Sequence, residues 1–272
     1  MLMKNFDVSE DSFDSRQVGS SLIVRLKVQA MDILTDLETS SSFRKVLEAG
    51  READNLDNYV QIKDSEWDSH TDLDNLGQFN TADDELYTAA GRTYGYRHDM
   101  LMVRFRNTLG YCLLALKDFG KPMVAGLQGN ISAEYLGLSL LFDSRIATPD
   151  TTISFDNVRT GIPSSPTITL LMPGYIGTGK TLALANQGAV LTAQEAQDLG
   201  MISKIVEQGS DLTEACIKCA AEFAERDLDI VEFNRQHILP STNEVSAALE
   251  TYYQAITKAL IRRRTVENEP KV

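Results

Sequence analysis

The sequence predicts an α/β layered core that ends in a helical C-terminal portion. Up to Glu207, apolar runs of strand length alternate with stretches at helical spacing, and beyond it only helical stripes follow. The length of 272 residues suits one large domain or one domain with an appendage, and 43% hydrophobic residues can bury a sizeable core. There is no internal repeat.

Met1 to Ser20 shows little periodicity and reads as a loose arm, residues 1–20. Ser21 to Val28 alternates like a strand. Phe43 to Glu52 places Phe43, Val46 and Leu47 at helical spacing, and Asn58 to Asp64 is the next strand. A polar loop from Ser65 to Leu73 follows, then a polar segment punctuated by Gly91 and Gly95. Arg97 to Lys117 carries Leu101, Phe105, Leu109, Cys112 and Leu116 on one stripe, the pattern of a long amphipathic helix.

The stretch from Lys121 to Ile162 organises the chain. Met123 to Leu127 suits a buried strand, and Gly129 permits a sharp turn. Ser132-Ala133-Glu134 reads as a helix start, with a hydroxyl cap and an acid in the first turn. Leu136, Leu140 and Leu141 continue that helix to Asp143; strands Arg145 to Thr148 and Thr151 to Phe155 come next. Such a strand, turn and helix direct backbone N–H groups at one point, suited to an anionic oxygen. Further on come Thr167 to Met172, helical runs Gly179 to Gln187 and Ala193 to Leu199, and a last strand, Met201 to Glu207. Leu212, Ala215, Cys216, Cys219 and Phe223 share one helical face, and Val245, Leu249, Tyr252, Ile256 and Leu260 another.

At Lys121-Pro122, Gly129, Asp143, Arg145-Ile146-Ala147, Phe155 and Gly161-Ile162 the chain resembles the crotonase (enoyl-CoA hydratase/isomerase) superfamily, in register without a gap. The resemblance covers about Asn58 to Val206. It implies a spiral of ββα units with C-terminal helices that cover the site and build trimers or paired trimers. The expected division is therefore an arm at 1–20, a crotonase-like core at 21–207 and a helical oligomerisation region at 208–272. The stripes on the last two helices equally suit packing on the chain's own core.

The resemblance also implies chemistry. In such enzymes two backbone N–H groups grip a thioester carbonyl and stabilise the enolate. By register these donors fall on Thr71 and on Glu134, where relatives carry alanine and glycine. Ala133-Glu134-Tyr135 replaces three glycines, so two bulky side chains enter where backbone approaches the ligand. Glu134 has a plainer reading as a helix acid turned to solvent. The positions that supply the two hydratase glutamates hold Gly137 and Asn157, neither of which moves a proton. Asp156 offers a carboxylate, but neighbours on a strand point to opposite faces. His70 falls beside the site and is either a base, a partner to a carboxylate or merely exposed. The cation and Asn-Ala-Leu-like turn that relatives use for coenzyme A are replaced by Gln29 to Leu34, without a cation.

Charge and cysteine usage bound the partners. The net charge is −13, and residues 1–90 hold 19 acids against 8 Lys or Arg. That disfavours nucleic acid and anionic membrane for this half, and a solvated acidic face explains it. No apolar run reaches spanning length and the N-terminus is acidic and polar, so neither a membrane segment nor a secretory signal is expected. Cys112, Cys216 and Cys219 form no framework, which suits reduced thiols in the cytoplasm. Cys216-x-x-Cys219 reads as core packing rather than a metal or redox pair.

One rival motif stands apart. Gly174 to Thr181 satisfies G-x4-G-K-T, a loop whose N–H groups wrap phosphates while Lys180 and Thr181 reach a terminal phosphate and a metal. Pro173 at the strand-to-loop junction, and only one further strand before the chain becomes helical, argue for coincidence. The expectation is a divergent acyl-CoA thioester enzyme with isomerase, lyase or decarboxylase-like chemistry, no separate cofactor and no metal. Its expected partners are an acyl-thioester substrate and copies of itself, a trimer or hexamer. The alternative is a catalytically silent scaffold of the same fold.

Overall fold

The computed structural model describes residues 6–27, 37–63 and 102–267. Seven strands pair in one sheet, in the order β1 (Val8–Ser9), β2 (Phe13–Val18), β3 (Ser21–Leu26), β4 (Asn58–Lys63), β5 (Met123–Leu127), β7 (Ser144–Ala147), β10 (Lys204–Ile205). From β3 onward every pairing is parallel, while β1 and β2 attach antiparallel at one edge. A second sheet joins β6 (Asn130–Ser132), β8 (Thr152–Ser154) and β9 (Val190–Thr192).

The parallel strands are buried on both faces, which is why β4 and β5 read as continuous apolar runs. Alternate residues divide between two layers. Leu22, Val24, Leu26, Tyr59, Met123, Ala125 and Leu127 face a large core shared with α1 (Leu37–Glu52) and α2 (Tyr111–Lys117). Ile23, Val60, Ile62, Val124 and Ile146 face the other way, onto Leu212, Cys216 and Ala220 of α8 (Leu212–Ala224). Cys216 thus packs in a core, with burial pushing its thiol up, and Cys219 lies half-buried beside it.

Several sequence expectations need correcting. Residues 8–18 are not part of a loose arm. β2 pairs with β3 over its whole length, Phe13 opposite Leu26, and Phe13 packs edge-on against Phe43. The helix α3 (Ala133–Ser139) ends four residues before Asp143, since Leu140 to Phe142 tighten into turns held by i→i+3 bonds. Thr167 to Met172 belongs to helix α5 (Pro166–Ile176), with Pro166 in its first turn. The helix α9 (Leu228–Ile238) has no counterpart in the sequence reading. α10 (Thr242–Glu267) buries Val245, Leu249, Tyr252, Tyr253 and Ile256 in the chain's own core, so these residues of the stripe pack internally.

The residues that carried the resemblance hold this frame together. Lys121 Nζ donates to the carbonyls of Gly50 and Ala53 at the end of α1. Asp143 accepts from the Met123 N–H at 2.7 Å and pairs with Arg235 of α9 at 2.5 Å. Arg145 is buried and donates to the carbonyls of Met201, Ser139 and Phe142, satisfying groups exposed where α3 ends.

Candidate active site

β5 ends at Leu127, and the chain turns through β6 into α3, whose start is fixed by Ser132: its Oγ accepts the Tyr135 N–H at 3.3 Å. Every residue of α3 is buried. Tyr135 turns into the core among apolar neighbours. Glu134, in the first turn, is also buried at 6% exposure, so it is not the solvent-facing helix acid its position suggested.

Its partner is Asn157, the first residue of α4 (Asn157–Thr160), whose Nδ2 donates to Glu134 Oε1 at 2.5 Å. Burial pushes the Glu134 carboxyl above its ordinary range, opposed in part by the Asn157 hydrogen bond and by the backbone N–H groups of Glu134 and Ser165. A carboxyl raised in this way takes up a proton more readily than an exposed one, which suits a group that handles protons. Asp156 is not a strand residue. The strand stops at Ser154, Asp156 sits at the turn into α4, and its carboxyl accepts from Ser154 Oγ at 2.5 Å and lies 3.7 Å from Arg159.

Glu134 opens onto a cavity of about 10 Å³, lined also by Leu109, Leu113, Leu138, Ser165, Thr167 and Tyr252. That is about the space one water needs. Ser165 and Thr167 stand at the start of α5, their hydroxyls 3.0 Å apart. Leu109 belongs to a π-helical segment (Arg106–Gly110) that precedes α2, a distortion frequent at functional sites. Tyr252 comes from α10, and neither it nor Ser165 and Thr167 at the start of α5 were marked for function in the sequence. The usable signal is the stripe Val245, Leu249, Tyr252, where a hydroxyl rides on an otherwise apolar face.

Gly137 lies one turn beyond Glu134. A Cβ there would stand 2.5 Å from Thr167 Oγ1 and 3.0 Å from Ile168 Cδ1, so α5 occupies the space that a side chain at this position would need. The structure therefore brings Glu134, Asn157 and Gly137 together, and leaves Asp156 to a local network. Thr71 and His70 lie outside the described residues.

The G-x4-G-K-T run joins two helices, α5 and α6 (Thr178–Gln187), where a phosphate-cradling loop follows a strand. Thr181 spends its hydroxyl on the Gly177 carbonyl at 3.0 Å, and Lys180 is exposed.

The parallel sheet, the small second sheet and the helices around a buried carboxyl define a crotonase-like α/β protein. A family model described as enoyl-CoA hydratase/isomerase matches residues 89–267, and the chain belongs to that family. A probable enoyl-CoA hydratase of Bacillus subtilis is 31% identical over 111 residues, 41% of this chain and 43% of that protein. The matched stretch thus spans less than half of that curated relative. The crystal structure of an enoyl-CoA hydratase from Bacillus halodurans superposes with a TM-score of 0.73 at 18% identity, covering 94% of this chain and 99% of that one. Pseudomonas aeruginosa OdaA superposes with a TM-score of 0.72 at 14% identity, over 96% and 100% of the two chains.

Proposed function

We propose that the protein is a divergent acyl-thioester enzyme of this family that works without the two hydratase glutamates. In this reading the Glu134 carboxyl handles the proton. The observation that carries it is the buried Glu134 carboxyl, pushed up by burial and held by Asn157. Glu134 and Gly137 are three residues apart on α3 and share a face, so a carboxyl at 134 lies about 4.5 Å along the axis from one at 137. A proton-handling group moved by one helical turn serves a different atom of the acyl chain. That favours isomerase, lyase or decarboxylase-like chemistry at the carbon beside the carbonyl over addition of water.

The substrate in this reading is a coenzyme A thioester, as the names of the relatives suggest, with no further cofactor. The enolate is gripped by backbone N–H groups, with Thr71 and Glu134 as the donors that register assigns. Self-association into a trimer or hexamer accompanies it. The experiment measures binding of a panel of short and long acyl-CoAs, and exchange of the proton next to the carbonyl in heavy water. Binding is expected, with exchange that falls at least about 100-fold in Glu134→Gln. Exchange that survives in Glu134→Gln would remove Glu134 from the chemistry.

One observation favours the silent-scaffold reading instead. The cavity beside Glu134 has room for about one water, and α5 closes over Gly137. A folded protein without measurable affinity for any acyl-CoA decides for the scaffold.

A further inference from the structure

We propose that Tyr252 is a second functional side chain of this site, its hydroxyl donating a hydrogen bond to an oxygen bound in the cavity beside Glu134. The identity of that oxygen, the carbonyl oxygen of a thioester, rests on the acyl-thioester reading above. The existence of the oxygen site rests on geometry alone.

Tyr252 is only 5% exposed, and its hydroxyl finds no hydrogen-bond partner among the described residues. Leaving a hydroxyl buried and unpaired is costly, and phenylalanine of the same shape would avoid that cost. The cavity it lines holds the Glu134 carboxyl, two hydroxyl-bearing residues, Ser165 and Thr167, and otherwise leucines. A polar donor, a carboxyl and room for one oxygen in an apolar box make a site for a small polar group.

The neighbouring tyrosine makes the contrast. Tyr253 places its hydroxyl against Gly110, where a Cβ would stand 2.3 Å away, and its ring stacks on Phe105. Tyr253 therefore docks α10 through its ring and hydroxyl, whereas Tyr252 packs its ring in the core and leaves its hydroxyl unpaired among the described residues. Tyr135 and Thr257 also carry buried hydroxyls without partners among the described residues, but neither lines this cavity.

The roles then divide by chemistry. Glu134, as carboxylate, takes the proton from the carbon next to the thioester carbonyl. The electron pair of that C–H bond moves into the enolate, and negative charge gathers on the oxygen. Tyr252 donates to this oxygen and keeps its own proton, because burial pushes its phenol up. The pair returns to carbon when Glu134 gives the proton back.

Two measurements test the assignment. A crystal structure of the wild-type protein should show one oxygen, of water or ligand, within hydrogen-bond distance of both the Tyr252 hydroxyl and the Glu134 carboxyl. A Tyr252 hydroxyl bonded only to protein atoms overturns the proposal. In Tyr252→Phe, proton exchange should fall about 100-fold with KM little changed and thermal stability no lower than wild type. Exchange at the wild-type rate overturns it as well. If wild-type protein exchanges no acyl-CoA proton, the acyl-thioester reading fails by itself, and the shared oxygen in the crystal still decides for or against the Tyr252 site.

Discussion

A carboxyl in the first turn of a helix is ordinarily a solvent-facing group that favours the helix dipole. Glu134 has the sequence position but not the environment, because α4 and α5 fold over it and Asn157 reaches its Oε1. The consequence is a stability that depends on pH with a definite sign. Burial raises the folded-state pKa above the ordinary 4.5. Between those two values the folded protein binds more protons than the unfolded chain, so stability falls as pH rises through the folded pKa. Glu134→Gln keeps an acceptor for Asn157 and loses the titration. Melting curves from about pH 4 to about pH 8 should therefore show wild type losing ground to Glu134→Gln as pH rises. A gap that widens in the opposite direction would show that Glu134 is charged and stabilised in the fold. Register drew attention to Glu134 and Asn157, one expected as a backbone donor and one as a position without its acid. Their contact was not, since they lie 23 positions apart and meet only through the fold. Asp156 was misplaced because the strand was carried past Ser154, where the chain in fact turns.

At the scale of elements, the close approach of α3 and α5 decides what the site can hold. The glycine at 137 lets Thr167 and Ile168 sit where a side chain would stand, and Tyr175 of α5 bonds the Leu140 carbonyl just beyond α3 at 3.0 Å. By the register that the resemblance implies, placing a glutamate at position 137 is the obvious attempt to gain hydratase chemistry. It should fail. Gly137→Glu inserts a charged side chain between two packed helices, with overpacking alone costing about 1–3 kcal/mol and burial of an unpaired charge adding to it. Chemical denaturation should show that loss, without crotonyl-CoA hydration. A stable, hydrating Gly137→Glu protein would mean that α5 moves aside freely and that the frame is looser than its contacts indicate. The sequence exposed most long elements, because strands buried on both faces and helices with one apolar stripe have strong patterns. It missed β6 and β9, which are three residues each and too short to alternate, and α9, where Ile230, Phe233 and Ile238 are exposed on a mostly polar helix. Arg235 anchors α9 through residues far away in sequence: it pairs with Asp143, 92 positions distant, and donates to the Leu141 carbonyl and Met123 Sδ.

The whole molecule sets two possible folds against each other, and a nucleotide separates them. A phosphate-cradling loop needs a parallel strand running into it, so that the strand end, the loop N–H groups and the following helix converge on the phosphates. Here the parallel part of the sheet runs from β3 through β4, β5 and β7 to β10, and the Gly174 to Thr181 run spans the junction of α5 and α6 instead of following a strand. Gly177 has the conformation that ends one helix and begins the next, and Thr181 closes on its carbonyl instead of facing a metal. The acidic first third, with its excess of carboxylates, adds repulsion toward a triphosphate. A ligand bound with a Kd one hundredth of its concentration would stabilise the fold by about 2.7 kcal/mol, a shift that thermal unfolding reads easily. ATP or GTP at about 1 mM, with magnesium, should therefore leave the melting temperature where it is, in wild type and in Lys180→Ala alike. A rise that disappears in Lys180→Ala would mean that the loop binds phosphate after all, and that the helix-to-helix junction opens into a cradle.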